Sequence, residues 1–259
     1  MVFNRTNSIK KLRQCLRDHV ISIGSWMQIP NASIAEILGQ SGYDWVAVDL
    51  EHGSFSLQQL PDVFRALELG HTLPLARLSL GDLTECKRIL DAGAAGIIVP
   101  MIETAAQLKA IKKACCWPPA GERGVGFSRA NLFGKHFDAY IEEAQAPLLV
   151  AMIEHVRAIE NLPEILAVDG LDAILVGPYD LSASMALTAQ FDHPTVIAAI
   201  QQIHNLSKQY DVACGIHVVQ PSIEQLNQRI TEGYRFIAYS VDAVFLNTYG
   251  QNPIKKEND

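Results

Sequence analysis

Pro147-Leu148-Leu149-Val150-Ala151-Met152-Ile153-Glu154 and Leu171-Asp172-Ala173-Ile174-Leu175-Val176-Gly177-Pro178-Tyr179-Asp180 decide the fold. Each run is apolar at nearly every position, and each leads to a carboxylate. A strand half in water alternates apolar and polar residues. A strand apolar on both faces is covered on both sides, as parallel strands flanked by helices are.

Outward from this pair the same signal recurs, at 22–29, 45–50, 73–78, 95–102, 212–218 and 236–246. With 147–154 and 171–178 that makes eight predicted strands. Amphipathic segments lie between them, at 32–40, 56–69, 82–92, 104–116, 195–209 and 222–231. Ile197, Ile200, Ile203 and Leu206 show the helical spacing. Asp91-Ala92-Gly93, Asp169-Gly170 and Glu232-Gly233 precede strands, where glycine suits the end of a helix. Eight repeats of roughly 25–35 residues predict one α/β domain over 1–259, a (β/α)8 TIM barrel. The rival, an open doubly wound sheet, calls for a glycine-rich turn after strand one, and Trp26-Met27-Gln28-Ile29-Pro30 is not one.

Composition narrows the function. The 259 residues are 49% apolar and 19% charged, with a net charge of −7. No basic stripe stands out, so no nucleic-acid partner is expected. No apolar run approaches a membrane span, and Met1 to Arg17 is polar and basic without the apolar centre of a secretion signal. Cys15, Cys86, Cys115, Cys116 and Cys214 are odd in number and form no Cys-x-x-Cys pair. They are expected to be reduced thiols of a cytoplasmic protein. The tail from Lys255 to Asp259 is polar and expected to fray.

Chemistry in such a barrel sits at the C-terminal ends of the strands. Those ends carry Asp49-Leu50-Glu51-His52, Arg77, Glu154 with His155, Gly177-Pro178-Tyr179-Asp180, and His217. Glu154 and Asp180 come from consecutive repeats, so neighbouring strands bring them close. Two converging carboxylates suit a hard divalent ion that keeps several waters, or else they are solvated rim acids. His52 is a base by its ordinary pKa, oriented by Asp49 or Glu51, or a structural histidine. Arg77 ends an apolar strand and needs an anion, either substrate or a partner carboxylate. Arg123 lies in the long non-periodic stretch 117–140, flanked by glycine; it is a mobile anion clamp in a lid or an ordinary loop charge. No lysine falls in a predicted strand, which closes the Schiff-base route to an aldolase and leaves metal stabilisation of an enolate.

Four stretches resemble the HpcH/HpaI aldolases, metal-dependent pyruvate aldolases. They are Gly42-Tyr43-Asp44-Trp45 with Asp49-Leu50-Glu51-His52; Leu90-Asp91-Ala92-Gly93-Ala94 with Val99-Pro100-Met101; Pro118-Pro119-Ala120-Gly121 with Arg123-Gly124-Val125-Gly126; and Ile153-Glu154 with Gly177-Pro178-Tyr179-Asp180-Leu181-Ser182. The resemblance runs from about residue 21 to 246 and implies a barrel of the phosphoenolpyruvate/pyruvate-superfamily type. It implies that Glu154 and Asp180 ligate Mg²⁺, Mn²⁺ or Co²⁺, and that Arg77 holds the oxo oxygen of pyruvate. It implies that His52 is the base, paired with Asp91 of a neighbouring subunit. Gly177, Pro178, Tyr179 and His217 would line the substrate, with Asp49, Glu51 and Met152 around the metal-bound waters. The implied reaction is reversible cleavage of a 4-hydroxy-2-oxo acid to pyruvate and an aldehyde through a metal-stabilised enolate. The implied assembly is a homohexamer, a trimer of dimers with a C-terminal helix packed on a neighbour. Met152 stands where many members carry glutamine, and His217 where the diacid aldolases carry an aliphatic residue. Rivals are an oxaloacetate-type decarboxylase, a citrate-lyase-like CoA thioester lyase, or a barrel that binds metal and oxo acid without turnover.

Overall fold

A computed structural model describes residues 4–252; the tail from Lys255 lies outside them. Eight strands close into a parallel barrel in sequence order: β1 (Ser22–Met27), β2 (Trp45–Asp49), β3 (Leu73–Arg77), β4 (Gly96–Val99), β5 (Leu148–Ile153), β6 (Ala173–Val176), β7 (Ala213–Val218) and β8 (Phe236–Val241). The helices are α1 (Arg5–Arg17), α2 (Ala32–Gly39), α3 (Leu60–Leu69), α4 (Leu83–Ala92), α5 (Ala105–Cys115), α6 (Phe137–Gln145), α7 (Val156–Glu160), α8 (Leu162–Leu166), α9 (Pro178–Ser184), α10 (Pro194–Gln209), α11 (Ile223–Glu232) and α12 (Asp242–Tyr249).

The predicted barrel is therefore present, with every strand in its expected place. The largest boundary correction among the strands falls at the end of β8. The apolar run 236–246 is not a single strand, because the chain turns helical at Asp242. The Asp242 carboxylate accepts from the amides of Gln28 at 2.8 Å, Ile29 at 2.9 Å and Ala243 at 2.7 Å. One side chain in the first turn of α12 thus ties the end of β8 to the end of β1.

Strand alternation sorts the core into two layers. Trp45, Ala47, Leu73, Leu75, Leu148, Val150, Met152, Ala173, Leu175, Phe236 and Ala238 fill the barrel interior. Val46, Val48, Ala76, Leu149, Ala151, Ile153, Ile174 and Val176 face the helices. Trp45 fits inside by stacking on Phe236, ring centres 4.1 Å apart. It also relies on Gly24, where a Cβ would come within 2.1 Å of the indole.

Nothing in the periodicity of Met1 to Arg17 marks α1. Yet Ile9, Leu12 and Leu16 lie on one face of it and join the interior cluster. Asn4 caps its start, accepting from the Asn7 amide. Arg5 pairs with Glu68 and Glu143, and Arg13 with Asp172. Since Asp172 and Pro147 precede β6 and β5, α1 stoppers the N-terminal end of the barrel. The chemistry is left to the other end.

Candidate active site

The alternation that fills the barrel also aims the polar residues. Leu148, Val150 and Met152 point inward, so the next position of that parity, Glu154, points into the mouth. The same step takes Trp45 and Ala47 to Asp49, and Leu73 and Leu75 to Arg77. β6 pairs with β5 so that Val176 lies beside Ile153. Gly177 is thus next to Glu154, and a Cβ there would meet Glu154 Oε1 at 2.5 Å. Gly177 makes room for the glutamate.

Arg77 is only 7% exposed. Its Nε and Nη2 donate to the two oxygens of Asp49 at 2.9 and 2.7 Å, and Nη1 lies 2.9 Å from Glu51 Oε2. Its guanidinium sits over Trp26, 5.3 Å from the ring centre. Asp49 is fully buried and also accepts from Gln28 Nε2 at 2.9 Å and from the amides of Glu51 and His52 at 3.1 Å. Burial pushes the Asp49 carboxyl up, but hydrogen bonds and charge from Arg77, with the other donors, bring it below the usual carboxylate range. Asp49 therefore anchors Arg77 and the backbone that carries His52. The His52 side chain is exposed, and its ring takes no hydrogen bond from the described residues.

Glu154 is the opposite case. It is 3% exposed, and one amide, that of Met101, donates to Oε2 at 3.0 Å. Met101 reaches it in a left-handed conformation, φ +51°. Burial, then Asp180 and Glu51 nearby, push the Glu154 carboxyl up to about 7, against the Met101 amide and Arg77. Glu51 is raised too, first by burial and then by Asp49 and Asp180. Its Oε2 is buried, and its contact with Arg77 lacks hydrogen-bond geometry, so it has no hydrogen-bond partner. Asp180 is exposed in the first turn of α9. Glu51, Glu154 and Asp180 thus act on one another in one corner of the mouth, with the Arg77 guanidinium, already clamped by Asp49, beside Glu51.

His52, Arg77, Glu154 and Asp180 line a pocket of about 1120 Å³ that also takes in Trp26, Gln28, Met152 and His217. His217 Nε2 lies 3.0 Å from the Ser240 carbonyl, and its ring lies 5.1 Å from that of Trp26. Burial lowers the His217 pKa to about 4, so the ring is neutral. Pro178 starts α9, and Tyr179 is exposed at the rim, edge-on to Phe191 at 4.8 Å. Trp26, Gln28, Met101 and Asp242 are functional neighbours that the charge pattern passed over. Strand parity (Gly24, Trp26, Gln28) finds the first two, but no sequence signal announces the backbone donor Met101.

Asp91 and Arg123 do not line this pocket. α4 runs from the end of β3 back to the start of β4, so Asp91, at its C-terminal end, lies at the stoppered end of the barrel. Arg123 is 2% exposed; it donates to the Tyr140 hydroxyl at 3.0 Å and lies over Trp117 and Tyr140. Its charge acts on Asp91, whose carboxyl is raised by burial against the pull of Arg123 and Lys87. Within one chain Arg123 is a packed residue. The segment that follows it folds into a short 3-10 turn (Arg129–Gly134) and α6.

Comparison with known proteins fits this geometry. The chain is 37% identical to the hydroxypyruvate/pyruvate aldolase of Roseobacter denitrificans over 249 residues, covering 93% of this chain and 94% of that one. It is 36% identical to the 4-hydroxy-2-oxovalerate aldolase of Novosphingobium aromaticivorans, covering 91% and 89%. A crystal structure of an HpcH/HpaI aldolase/citrate lyase family protein from Burkholderia cenocepacia superimposes with a TM-score of 0.87 at 32% identity, covering 93% of this chain and 96% of that one. The family model for HpcH/HpaI aldolase/citrate lyase matches residues 22–247, from the first barrel strand to the helix after the last, and the chain belongs to that family.

Proposed function

We propose that this protein is a metal-dependent pyruvate aldolase, a lyase that reversibly cleaves a 4-hydroxy-2-oxo acid to pyruvate and an aldehyde. The observation that carries the reading is the crowding of Glu51, Glu154 and Asp180 beside a clamped arginine. A buried carboxyl pushed to about 7, with the acidic Asp180 and Glu51 among the causes, fits a site built to hold a cation. The donors are all hard oxygens, which suits Mg²⁺, Mn²⁺ or Co²⁺ rather than a thiolate-seeking ion. No group of three or more His, Cys, Asp or Glu side chains that could hold a metal is found among the described residues. Two ligands, Glu154 and Asp180, would leave positions for water and substrate. When bound, the ion would act as a Lewis acid toward the substrate's oxo oxygen.

The chain's own residues divide the remaining work. Arg77, fixed by Asp49 and Trp26, presents positive charge where negative charge develops on the oxo oxygen. His52 stands exposed at the rim, its backbone amide donating a hydrogen bond to Asp49, to move the proton of the substrate methyl or hydroxyl. No lysine occurs in any barrel strand, so an imine route has no nucleophile there. Purified protein with Mg²⁺, Mn²⁺ or Co²⁺ should exchange the methyl protons of pyruvate in D₂O and stop when EDTA is added. Absence of exchange with every metal sinks the reading.

The same proposal extends to a homohexamer in which the neighbour's Asp91 orients His52 and its 117–140 segment lies over the mouth. Two features support it. Asp91 and Arg123 are remote from their own pocket, and α11 buries none of its residues, with the pocket running on between α10 and α11. A C-terminal helix from a neighbouring subunit would cover that face.

A further inference from the structure

β8 carries an irregularity that the barrel itself does not need. On β1, Gly24 pairs with Ala238, but Trp26 pairs with Val241, so β8 spends three residues where β1 spends two. The extra turn of chain is taken at Ser240, a fully buried non-glycine residue in the left-handed region, φ +58°. The result is a Ser240 carbonyl aimed across to β7, 3.0 Å from His217 Nε2.

A carbonyl only accepts, so Nε2 carries the ring proton. The ring is neutral, which leaves Nδ1 as a lone-pair acceptor. Nδ1 takes no donor from the described residues and is not among their buried unpartnered atoms, while His217 lines the pocket. Trp26, 5.1 Å away, holds the other side of the ring. Nearby, Arg77 commits Nε and Nη2 to Asp49, and Gln28 commits Nε2 to Asp49. An acceptor here gives nothing to a carboxylate or carbonyl oxygen. It rewards a ligand that brings a donor proton, which among oxo acids and aldehydes is a hydroxyl.

We infer that His217 is a specificity-determining residue that accepts, at Nδ1, a hydrogen bond from a substrate hydroxyl adjacent to the reacting carbon, and that Ser240 is its positioning residue. The inference rests on the aldolase reading. The hydroxyl has two sources, C2 of a 2-hydroxyaldehyde or C3 of a hydroxylated pyruvate.

Metal-loaded enzyme should be compared on glycolaldehyde against acetaldehyde with pyruvate, and on hydroxypyruvate against pyruvate with one common aldehyde. We expect a preference for the hydroxylated partner of about fivefold or more in kcat/KM in one arm, which identifies the source. His217→Phe should bring that ratio to about one. His217→Gln, whose amide can donate to the Ser240 carbonyl and still offer an oxygen, should restore part of it. No preference in either arm, or a preference that survives in His217→Phe, overturns the inference. A second measurement does not depend on turnover. In ¹⁵N spectra of the intact protein, His217 should be the Nε2-protonated tautomer. Its Nδ1 resonance should move on saturation with glycolaldehyde or hydroxypyruvate but not with acetaldehyde or pyruvate. An Nδ1-protonated ring, or equal responses to both kinds of ligand, overturns the inference even in an inactive protein. Failure of the aldolase reading would show separately, as wild-type enzyme that exchanges no pyruvate protons.

Discussion

Arg77 carries its charge at the end of an apolar strand, and Asp49 makes that possible. Replacing Asp49 by Ala leaves a guanidinium that is 7% exposed with only Glu51 beside it. Breaking one side of a buried pair costs about 3–5 kcal/mol, so Asp49→Ala should lower unfolding free energy by about that much in urea titrations. A loss under 1 kcal/mol would mean that water reaches Arg77 freely. Glu154 makes a different prediction, in pH. Its carboxyl titrates at about 7 in the metal-free protein, above its ordinary 4.5. The folded state therefore binds the proton more tightly than the unfolded one. The contribution to stability is present below about pH 4.5 and is lost as pH rises toward 7, about 3 kcal/mol in all. Added Mn²⁺ should reverse the trend, because the ion binds the ionised form and stabilises it at pH 8. Metal-free protein that gains stability from pH 5 to 8 in thermal scans would contradict this. The sequence showed that Glu154, Asp180 and Arg77 share a rim, since strand ends are legible from apolar runs. It did not show that Asp49 serves Arg77 rather than His52. That assignment depends on the inward parity of two neighbouring strands and their register, which one strand read alone does not contain.

At the scale of elements, the least legible piece of the fold is α1. Its residues are mostly polar, and Ile9, Leu12 and Leu16 are too few to stand out against that background. Their partners are barrel residues more than ten positions away, so local periodicity carries little of the signal. The consequence is an N-terminal helix that resembles a dispensable arm and works as core. Leu12 is 5% exposed, and Leu12→Ala should cost about 2–5 kcal/mol, as deletions of buried methyl groups do. Lys11→Ala on the exposed face of the same helix should change stability by less than about 0.5 kcal/mol. Equal effects would mean that α1 does not seat in the barrel. The end of β8 was misread for a related reason. Residues 236–246 are apolar apart from Ser240 and Asp242, and so apolar a run does not by itself separate a buried strand from a strand followed by a helix. Asp242 makes the distinction, through amide contacts to β1 that no local pattern records.

For the whole molecule, the decisive fact is distance within one chain. His52 sits at the mouth of the barrel and Asp91 at the stoppered end, so one subunit cannot pair them. If a neighbour supplies Asp91, then His52→Ala and Asp91→Ala each remove one half of every site, and different halves. Subunits of the two variants, dissociated and reassembled together, would then form some sites with His52 from one subunit and Asp91 from the other. Random assortment makes about a quarter of the sites complete, while neither variant alone forms any. Pyruvate proton exchange should therefore rise from near zero to about a quarter of the wild-type rate on mixing, and sedimentation should show the same assembly before and after. No recovery from a mixture that demonstrably exchanges subunits would place the partner of His52 within its own chain. Glu51 would be the first place to look, because it is the next residue in the chain and the charges of the two interact.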